Sequence, residues 1–184
     1  MKRKAGQEAP DFTVTVINNH SITLSDYRGS KVLLGFFRNV NCPFCNLRVH
    51  ELTKLRERLE ANNLKMILFF ESSAKHLQRS SFHQEVSPIP LIGDPEKKIY
   101  TLYGVEASLL KMASTFFKAG AMEDMKRGKA LPLPTEKDKD ATQSLIPADF
   151  LIDEKGIIVS AHYGSDMRDH ISIKEIMEFA GLRY

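Results

Sequence analysis

The feature that most restricts the fold is an apolar strand pattern that passes into a helical pattern and then into a second apolar strand. Residues 31–37 and 65–70 are near-continuous apolar runs, which are typical of strands buried on both faces of a parallel or mixed sheet. Between them, apolar residues recur in steps of three and four and predict the buried face of a helix over 42–61. The residues on this face are Cys45, Val49, Leu52, Leu55 and Leu59. The three segments predict a β-α-β unit of an α/β fold.

The only two cysteines stand where the first strand gives way to this helix, in the segment Cys42-Pro43-Phe44-Cys45. Pro43 suits the first helical position, because its φ is already helical and its missing N–H would have no partner there. Cys42 then falls at the N-cap, where backbone amides and the helix dipole stabilise a thiolate. We therefore predict Cys42 as the nucleophile and Cys45, on the buried face, as the shielded resolving thiol.

A zinc site and a pair of inert core residues are the alternative roles for the two cysteines. Structural zinc usually takes four protein ligands, but the chain has no further cysteine and its histidines show no ligand-like spacing. Inert core cysteines are a plausible alternative, since cysteine is often buried. A second cysteine three residues away at a helix start favours redox chemistry instead. We predict no metal and no cofactor.

Composition indicates an ordinary soluble domain. The 184 residues are 42% hydrophobic and 27% charged, which fits a single domain over residues 1–184. A formal charge of +3 is too small to predict nucleic-acid binding. The apolar runs are too short to span a bilayer, and the first ten residues lack the apolar segment of a secretion signal. We expect a cytoplasmic protein, where a CxxC pair is more often catalytic than structural.

Turn residues divide the rest of the chain into further elements. A helical pattern over 106–128 is expected to divide at Gly120, since glycine is unfavourable inside a helix. The segment 130–144 is too polar to pack and is predicted as a solvated loop. The remaining predictions are a hairpin over 12–17 and 21–24, a helix over 73–86, a strand over 91–93, a helix over 95–103, a hairpin over 150–153 and 157–163, and a helix over 173–179.

Three segments carry a resemblance to a known family: Ala9-Pro10-Asp11-Phe12, the stretch LSDYRG at 24–29, and Phe150-Leu151-Ile152-Asp153 with Gly156. With the cysteines, they resemble the peroxiredoxin-like (AhpC/TSA) branch of the thioredoxin superfamily over 5–105 and 145–180. The resemblance implies a thioredoxin-like fold, with a central mixed sheet flanked by helices. It also implies a thiol-disulfide oxidoreductase or thiol-dependent peroxidase that acts on a disulfide or peroxide. A thiol reductant of the thioredoxin or glutaredoxin type and a homodimer are the partners it suggests.

The chain departs from the family at the residues that support catalysis. Peroxiredoxins are expected to carry Pro-x-x-x-Thr-x-x-Cys and a distant arginine, and here these positions become Arg38, Cys42, Cys45 and Pro147. Only Cys45 matches the family's peroxide-attacking cysteine. The missing hydroxyl and distant cation would stabilise charge as the O–O bond breaks. Arg38 either replaces that charge or is a solvated arginine at a strand end.

The residues at these substituted positions resemble those of thioredoxins. Cys42 occupies the position of the attacking thioredoxin cysteine, and Pro147 that of a cis-proline facing the CxxC; a trans proline before an edge strand is the alternative. The buried acid of thioredoxins is replaced by Phe36. We predict a Cys42–Cys45 dithiol/disulfide cycle begun by Cys42. One alternative is a peroxidase in which Cys45 attacks and Cys42 resolves, and another is a non-catalytic redoxin-fold binding module.

Residues 106–144 form an insertion relative to the resemblance. Its apolar residues lie among lysines and arginines, and they include Phe116, Phe117, Met122 and Met125. Such a segment could cover the mouth of the active site, form a dimer contact, bind a partner or lie on a membrane surface. The simplest expectation is that it packs on its own domain, because apolar stripes at helical spacing usually face a core.

Overall fold

A computed structural model describes residues 1–86, 88–134, 136–139, 141–142 and 144–183, without the side chain of residue 81. In these ranges the main sheet has five strands in the order β5-β4-β3-β6-β7. Their bounds are β3 Lys31–Phe37, β4 Leu64–Phe70, β5 Leu91–Gly93, β6 Ala148–Ile152 and β7 Ile158–Tyr163. Strands β3, β4 and β5 pair in parallel, whereas β6 pairs antiparallel with both β3 and β7. The sheet is mixed, as predicted.

The predicted β-α-β unit forms the centre of the molecule. Helix α1, Pro43–Glu60, connects β3 to its parallel neighbour β4. Every residue of β3 after Lys31 is buried, which explains its near-continuous apolar sequence. The register pairs Phe37 with Phe70, so the carboxyl ends of both strands lie at the same edge of the sheet. The segment that leads into α1 starts from this edge.

The apolar core has two layers, one on each face of the sheet. One layer holds both cysteines with residues of α1 and of α7, Ile173–Phe179. The other holds Phe36 with residues of α4, Lys98–Tyr103, and of the N-terminal hairpin. That hairpin pairs β1, Thr13–Thr15, antiparallel with β2, Ser21–Thr23, as predicted. Alternate residues of the central strands therefore contribute to opposite layers.

The continuous helix predicted over 73–86 is wrong. The segment forms two short helices, α2 Ala74–Arg79 and α3 Ser81–Glu85. Ser80 between them has extended backbone, and its side chain accepts a hydrogen bond from the backbone N–H of His83. A serine that caps a new helix competes with continuation of the old one, which breaks the run. The residue at 87, where the helix was expected to stop, lies outside the described residues.

The helix predicted from Pro95 begins three residues later. The carboxylate of Asp94 accepts hydrogen bonds from the backbone N–H groups of Lys98, at 3.0 Å, and Ile99, at 2.8 Å. These bonds satisfy two N–H groups at the start of α4. Because Asp94 accepts these bonds from residues four and five positions later, Pro95 lies in the turn before the helix. The prediction that Pro95 is the first helical residue is therefore wrong.

The insertion contains two helices, α5 Leu109–Thr115 and α6 Ala121–Lys129. Gly120 separates them, as predicted, and its φ of 79° is one that residues with a side chain adopt rarely. Helix α6 packs against α1, so the expected packing on the rest of the chain is found there, but it is wrong for Phe116, Phe117 and Met122, which are exposed. The described part of 131–144 has no helix or strand, as predicted, but the expectation that it is too polar to pack is wrong, because Leu131 packs against the core and Asp138 is buried. Residues 135, 140 and 143 lie outside the described residues.

Candidate active site

The two cysteines lie at the start of α1, in the positions predicted. Cys42 is the N-cap residue and Pro43 the first residue of the helix. The Sγ atom of Cys42 accepts a hydrogen bond from the backbone N–H of Cys45, at 3.4 Å. Both cysteines are free thiols in this structure. The N-cap geometry therefore directs a helix amide at Cys42 and leaves Cys45 inside the first turn.

Arg38 lies beside Cys42. Its Nη1 atom donates a hydrogen bond to Cys42 Sγ at 3.3 Å, and only 6% of the residue is exposed. Of the two alternatives for this residue, the solvated arginine at a strand end is therefore wrong. The fixed positive charge reaches the sulfur from the segment between β3 and α1, four residues before Cys42 along the chain.

The surroundings separate the two thiols in acidity. Burial opposes ionisation of Cys42, but hydrogen bonds from Cys45 and the charge of Arg38 outweigh it and lower the pKa of Cys42 to about 6. Burial and the adjacent Cys42 sulfur raise the pKa of Cys45 well above its ordinary value. These surroundings favour the thiolate on Cys42 and the protonated thiol on Cys45.

A cover formed by the insertion lies over the cysteine pair; it consists of α6 together with residues 131–134 and 136–138. Gly128 of α6 faces Pro43 so closely that a Cβ atom there would lie 2.2 Å from the Pro43 carbonyl oxygen. Only glycine permits this approach. Cys45 is fully buried, as expected, but Cys42 is also only 3% exposed. The sequence predicted shielding for Cys45 alone.

Asn41, the residue before Cys42, connects the cover to the site. Its Nδ2 atom donates hydrogen bonds to the carbonyl oxygens of Pro134, at 3.0 Å, and Glu136, at 2.9 Å. Its Oδ1 atom accepts one from the backbone N–H of Asp138, at 2.9 Å. This polar segment packs beside the site because the Asn41 amide forms hydrogen bonds with its backbone N–H and C=O groups. Burial of apolar surface contributes little to the packing of these three residues. This is the physical reason for the error in the loop prediction.

Glu71 is a buried acid near the site that the sequence did not reveal. It follows β4 directly, and 3% of it is exposed. Burial raises its pKa, whereas a hydrogen bond from the Thr142 backbone N–H, at 3.0 Å, and the charges of Lys97 and Arg38 oppose that rise. Its own N–H donates to the Arg38 carbonyl oxygen. The position of Glu71 directly after a strand parallel to β3 could have predicted that it lies near the cysteines, because both strands end at the same edge of the sheet.

Pro147 lies immediately before β6, at the same edge of the sheet. The pairing of Phe36 with Ala148 brings Pro147 next to the end of β3, and its carbonyl oxygen accepts a hydrogen bond from the N–H of Gly164. The cis bond remains a prediction. Phe36 itself points into the opposite core layer, where it stacks on Phe69 with ring centroids 5.1 Å apart. An acid at position 36 would therefore face away from the cysteines.

A second buried polar pair lies on the cysteine side of the sheet and was also missed. His170 Nδ1 contacts the Asp149 carboxylate at 2.9 Å, and both side chains are almost completely buried. The ring of His170 packs on Phe37 at a centroid distance of 4.8 Å. The charge of His170 lowers the pKa of Asp149 against the effect of burial. This pair fixes the segment before α7 to the sheet.

Two further observations concern metal ligands and membrane-spanning helices among the described residues. Their His, Cys, Asp and Glu side chains do not gather in threes in a way that could hold a metal ion. None of the helices in the described ranges is both long enough and apolar enough to cross a membrane.

Comparisons with known proteins agree with this geometry. The family model of the AhpC/TSA family matches residues 5–161. Peroxiredoxin tpx1 of Schizosaccharomyces pombe is 27% identical over 184 residues, which is 92% of this chain and 94% of the relative.

Two solved structures share the fold. Thiol peroxidase from Chromobacterium violaceum has a TM-score of 0.64 at 17% identity, and the match spans 98% of this chain and 88% of the peroxidase. A cysteine-to-serine mutant of PrxQ from Xylella fastidiosa has a TM-score of 0.66 at 15% identity, over 98% of this chain and 94% of PrxQ. A thioredoxin-like fold with a CxxC at a helix start is thus combined with a family match over most of the chain. The chain belongs to the AhpC/TSA family and is a thiol-dependent oxidoreductase.

Proposed function

We propose that Cys42 is the attacking thiolate and Cys45 the resolving thiol of an intramolecular dithiol/disulfide cycle. The observation that carries this proposal is the 3.3 Å contact from Arg38 Nη1 to Cys42 Sγ at the N-cap of α1. It gives the sulfur both a cation and a helix amide, which are the two usual causes of a reactive thiolate. Pro43 and Pro147 act as supporting residues in this proposal, because they fix the helix start and the neighbouring strand end.

With a hydroperoxide, the cycle has two chemical steps. The Cys42 thiolate attacks one peroxide oxygen, an S–O bond forms, the O–O bond breaks, and the leaving alkoxide takes up a proton to become an alcohol. The Cys45 sulfur then attacks the Cys42 sulfenic acid, an S–S bond forms, and the hydroxyl leaves as water with the Cys45 proton. Arg38 stabilises the anion before attack, a charge that family members are expected to receive from a distant arginine. A dithiol reductant returns both cysteines to the thiol state.

Attack by Cys45 is the competing order, because Cys45 aligns with the peroxide-attacking cysteine of the family. The raised pKa of Cys45 opposes it, since the thiolate and not the thiol is the nucleophile. A disulfide substrate is the other candidate in the proposed order, and the CxxC with Pro147 nearby favours it. A non-catalytic binding module would have no reason to hold a thiolate against Arg38. The homodimer and the cytoplasmic location stay predictions.

Single-cysteine variants test the order of attack. With Cys45→Ser, we expect one equivalent of hydrogen peroxide to produce a Cys42 sulfenic acid that a dimedone probe labels at neutral pH. With Cys42→Ser, we expect labelling to be at least about tenfold slower, because a thiol of high pKa is almost fully protonated. The wild-type protein should form the intramolecular disulfide and stay unlabelled. Faster labelling of Cys45 would support the opposite order, and no oxidation of either thiol would favour the binding module.

A further inference from the structure

Cys42 is a reactive thiol that is almost completely buried. Its pKa is low, yet 3% of its surface is exposed, because α6 and residues 131–134 and 136–138 lie over the start of α1. A protein disulfide must bring a sulfur atom and its flanking backbone into line with Cys42 Sγ. A small hydroperoxide needs to place only two oxygen atoms there. A cover beside Cys42 hinders a protein disulfide more than a small hydroperoxide.

Residues 134, 136 and 138 of the cover are attached by polar contacts that can break, whereas α6 packs against α1 and Leu131 packs against the core. Asn41 makes three hydrogen bonds to it, and Arg79 adds an exposed ion pair to Glu136 at 3.0 Å. A pocket of about 290 Å³ lies between residues 132–134 and the residues of α2. It is also lined by Val40, two residues before Cys42. A segment beside a pocket that is held by a few hydrogen bonds belongs to the less stable parts of a fold, which open locally.

We propose that Asn41 is a specificity-determining residue: by fastening the cover over Cys42, it admits small hydroperoxides and excludes protein disulfides and bulky thiols until the cover opens. This proposal rests on the proposed role of Cys42 as the attacking thiolate. Oxidation by a small hydroperoxide then proceeds with the cover closed. Reduction by a dithiol protein requires an open cover, because the reductant's thiolate must reach the Cys42–Cys45 disulfide, form a mixed disulfide and leave when its second thiol closes its own disulfide.

The size dependence of Cys42 alkylation tests the proposal. In a Cys45→Ser background, the rate is measured with iodoacetamide as the small reagent and with a polymer-linked maleimide as the bulky one; each rate is expressed relative to its rate on a free thiol peptide. The closed cover predicts a relative rate for the bulky reagent at least about tenfold lower. Asn41→Ala removes three hydrogen bonds, each contributing a factor of about two to five. We therefore expect the bulky reagent to react about 10 to 100 times faster in this variant, and iodoacetamide within about twofold of its original rate.

A second variant and a control distinguish opening from a loss of folding. Gly128→Ala displaces α6 from Pro43 without changing any residue beside the sulfur, and it should also accelerate the bulky reagent. Asn18→Ala, in the exposed hairpin turn, should change neither rate. Thermal unfolding of each variant reports whether the fold is retained.

The proposal is overturned if the relative rates of the two reagents agree in the protein with native Asn41 and Gly128. That measurement needs no destabilised variant. It is also overturned if both variants fold and neither accelerates the bulky reagent. A wrong assignment of Cys42 as the attacking thiolate would give a different result. The rate of reaction with iodoacetamide would then not rise with pH near the low pKa expected for Cys42, in any of the variants.

Discussion

Replacing Arg38 by methionine removes the positive charge beside Cys42 and keeps a side chain of similar length in the buried position. The two charges interact over 3.3 Å. Coulomb's law at that separation yields about 1 kcal/mol with the dielectric constant of water and about 5 kcal/mol with an effective value of about 20. Since 1.36 kcal/mol corresponds to one pH unit, we expect the pKa of Cys42 to rise by about one to four pH units.

The change in reactivity follows from the thiolate fraction. With a pKa of about 6, about nine-tenths of Cys42 is ionised at pH 7. A rise of about one to four units lowers that fraction to between about one half and about one thousandth. Activity of the native protein should therefore rise with pH through about 6 and then level off, whereas in Arg38→Met the rise should be displaced to higher pH. Sulfenic acid formation at pH 7 should slow by about 2- to 1,000-fold.

The assay is a pH titration of thiolate absorbance in a Cys45→Ser background, so that only Cys42 titrates. Iodoacetamide rates across the same pH range provide an independent measurement. Arg48→Met is the matched control, because Arg48 is also buried at α1 but pairs with the carbonyl of Ile171. We expect its effect on the pKa of Cys42 to be below about half a unit. A pKa still near 6 in Arg38→Met would refute the role assigned to this cation.

Three further changes test other parts of the structure. Burial lowers the pKa of His83 to about 4 in the folded protein, whereas His83 in the unfolded chain gains a proton below about pH 6.5. Urea unfolding should therefore show a free energy of unfolding about 2 kcal/mol lower at pH 5 than at pH 7. The variant His83→Gln should abolish this loss. Asp149→Ala leaves buried His170 without its carboxylate and should cost about 3 to 5 kcal/mol in denaturant unfolding; a cost below about 1 kcal/mol would contradict the pairing. Phe36→Ala should cost about 3 to 5 kcal/mol but leave the pKa of Cys42 unchanged, because Phe36 lies in the opposite core layer; a shifted titration would contradict that placement.

Local signals were sufficient to predict the centre of the site. Pro43 at the first helical position and Cys42 at the N-cap follow from rules that involve a few neighbouring residues. The burial of Arg38 could not be predicted in this way, since an arginine at the end of a strand is as compatible with solvent as with a sulfur atom. The break at Ser80 was missed for a related reason: serine is compatible both with a helix and with the cap of a new one.

The periodic patterns of the chain were enough to specify the β-α-β unit, the buried face of α1 and the two thiols at its start, because each depends on residues within a few turns or strand steps. The environment of those thiols depends on contacts between distant segments. Asn41 reaches the N–H of Asp138 across 97 residues, and Glu71 reaches that of Thr142 across 71. Such contacts arise only when the sheet register and the packing of α6 on α1 bring the segments together. The sequence alone therefore predicted a reactive pair with the thiolate on Cys42, and only the folded structure placed Arg38 against its sulfur and packed the cover beside it.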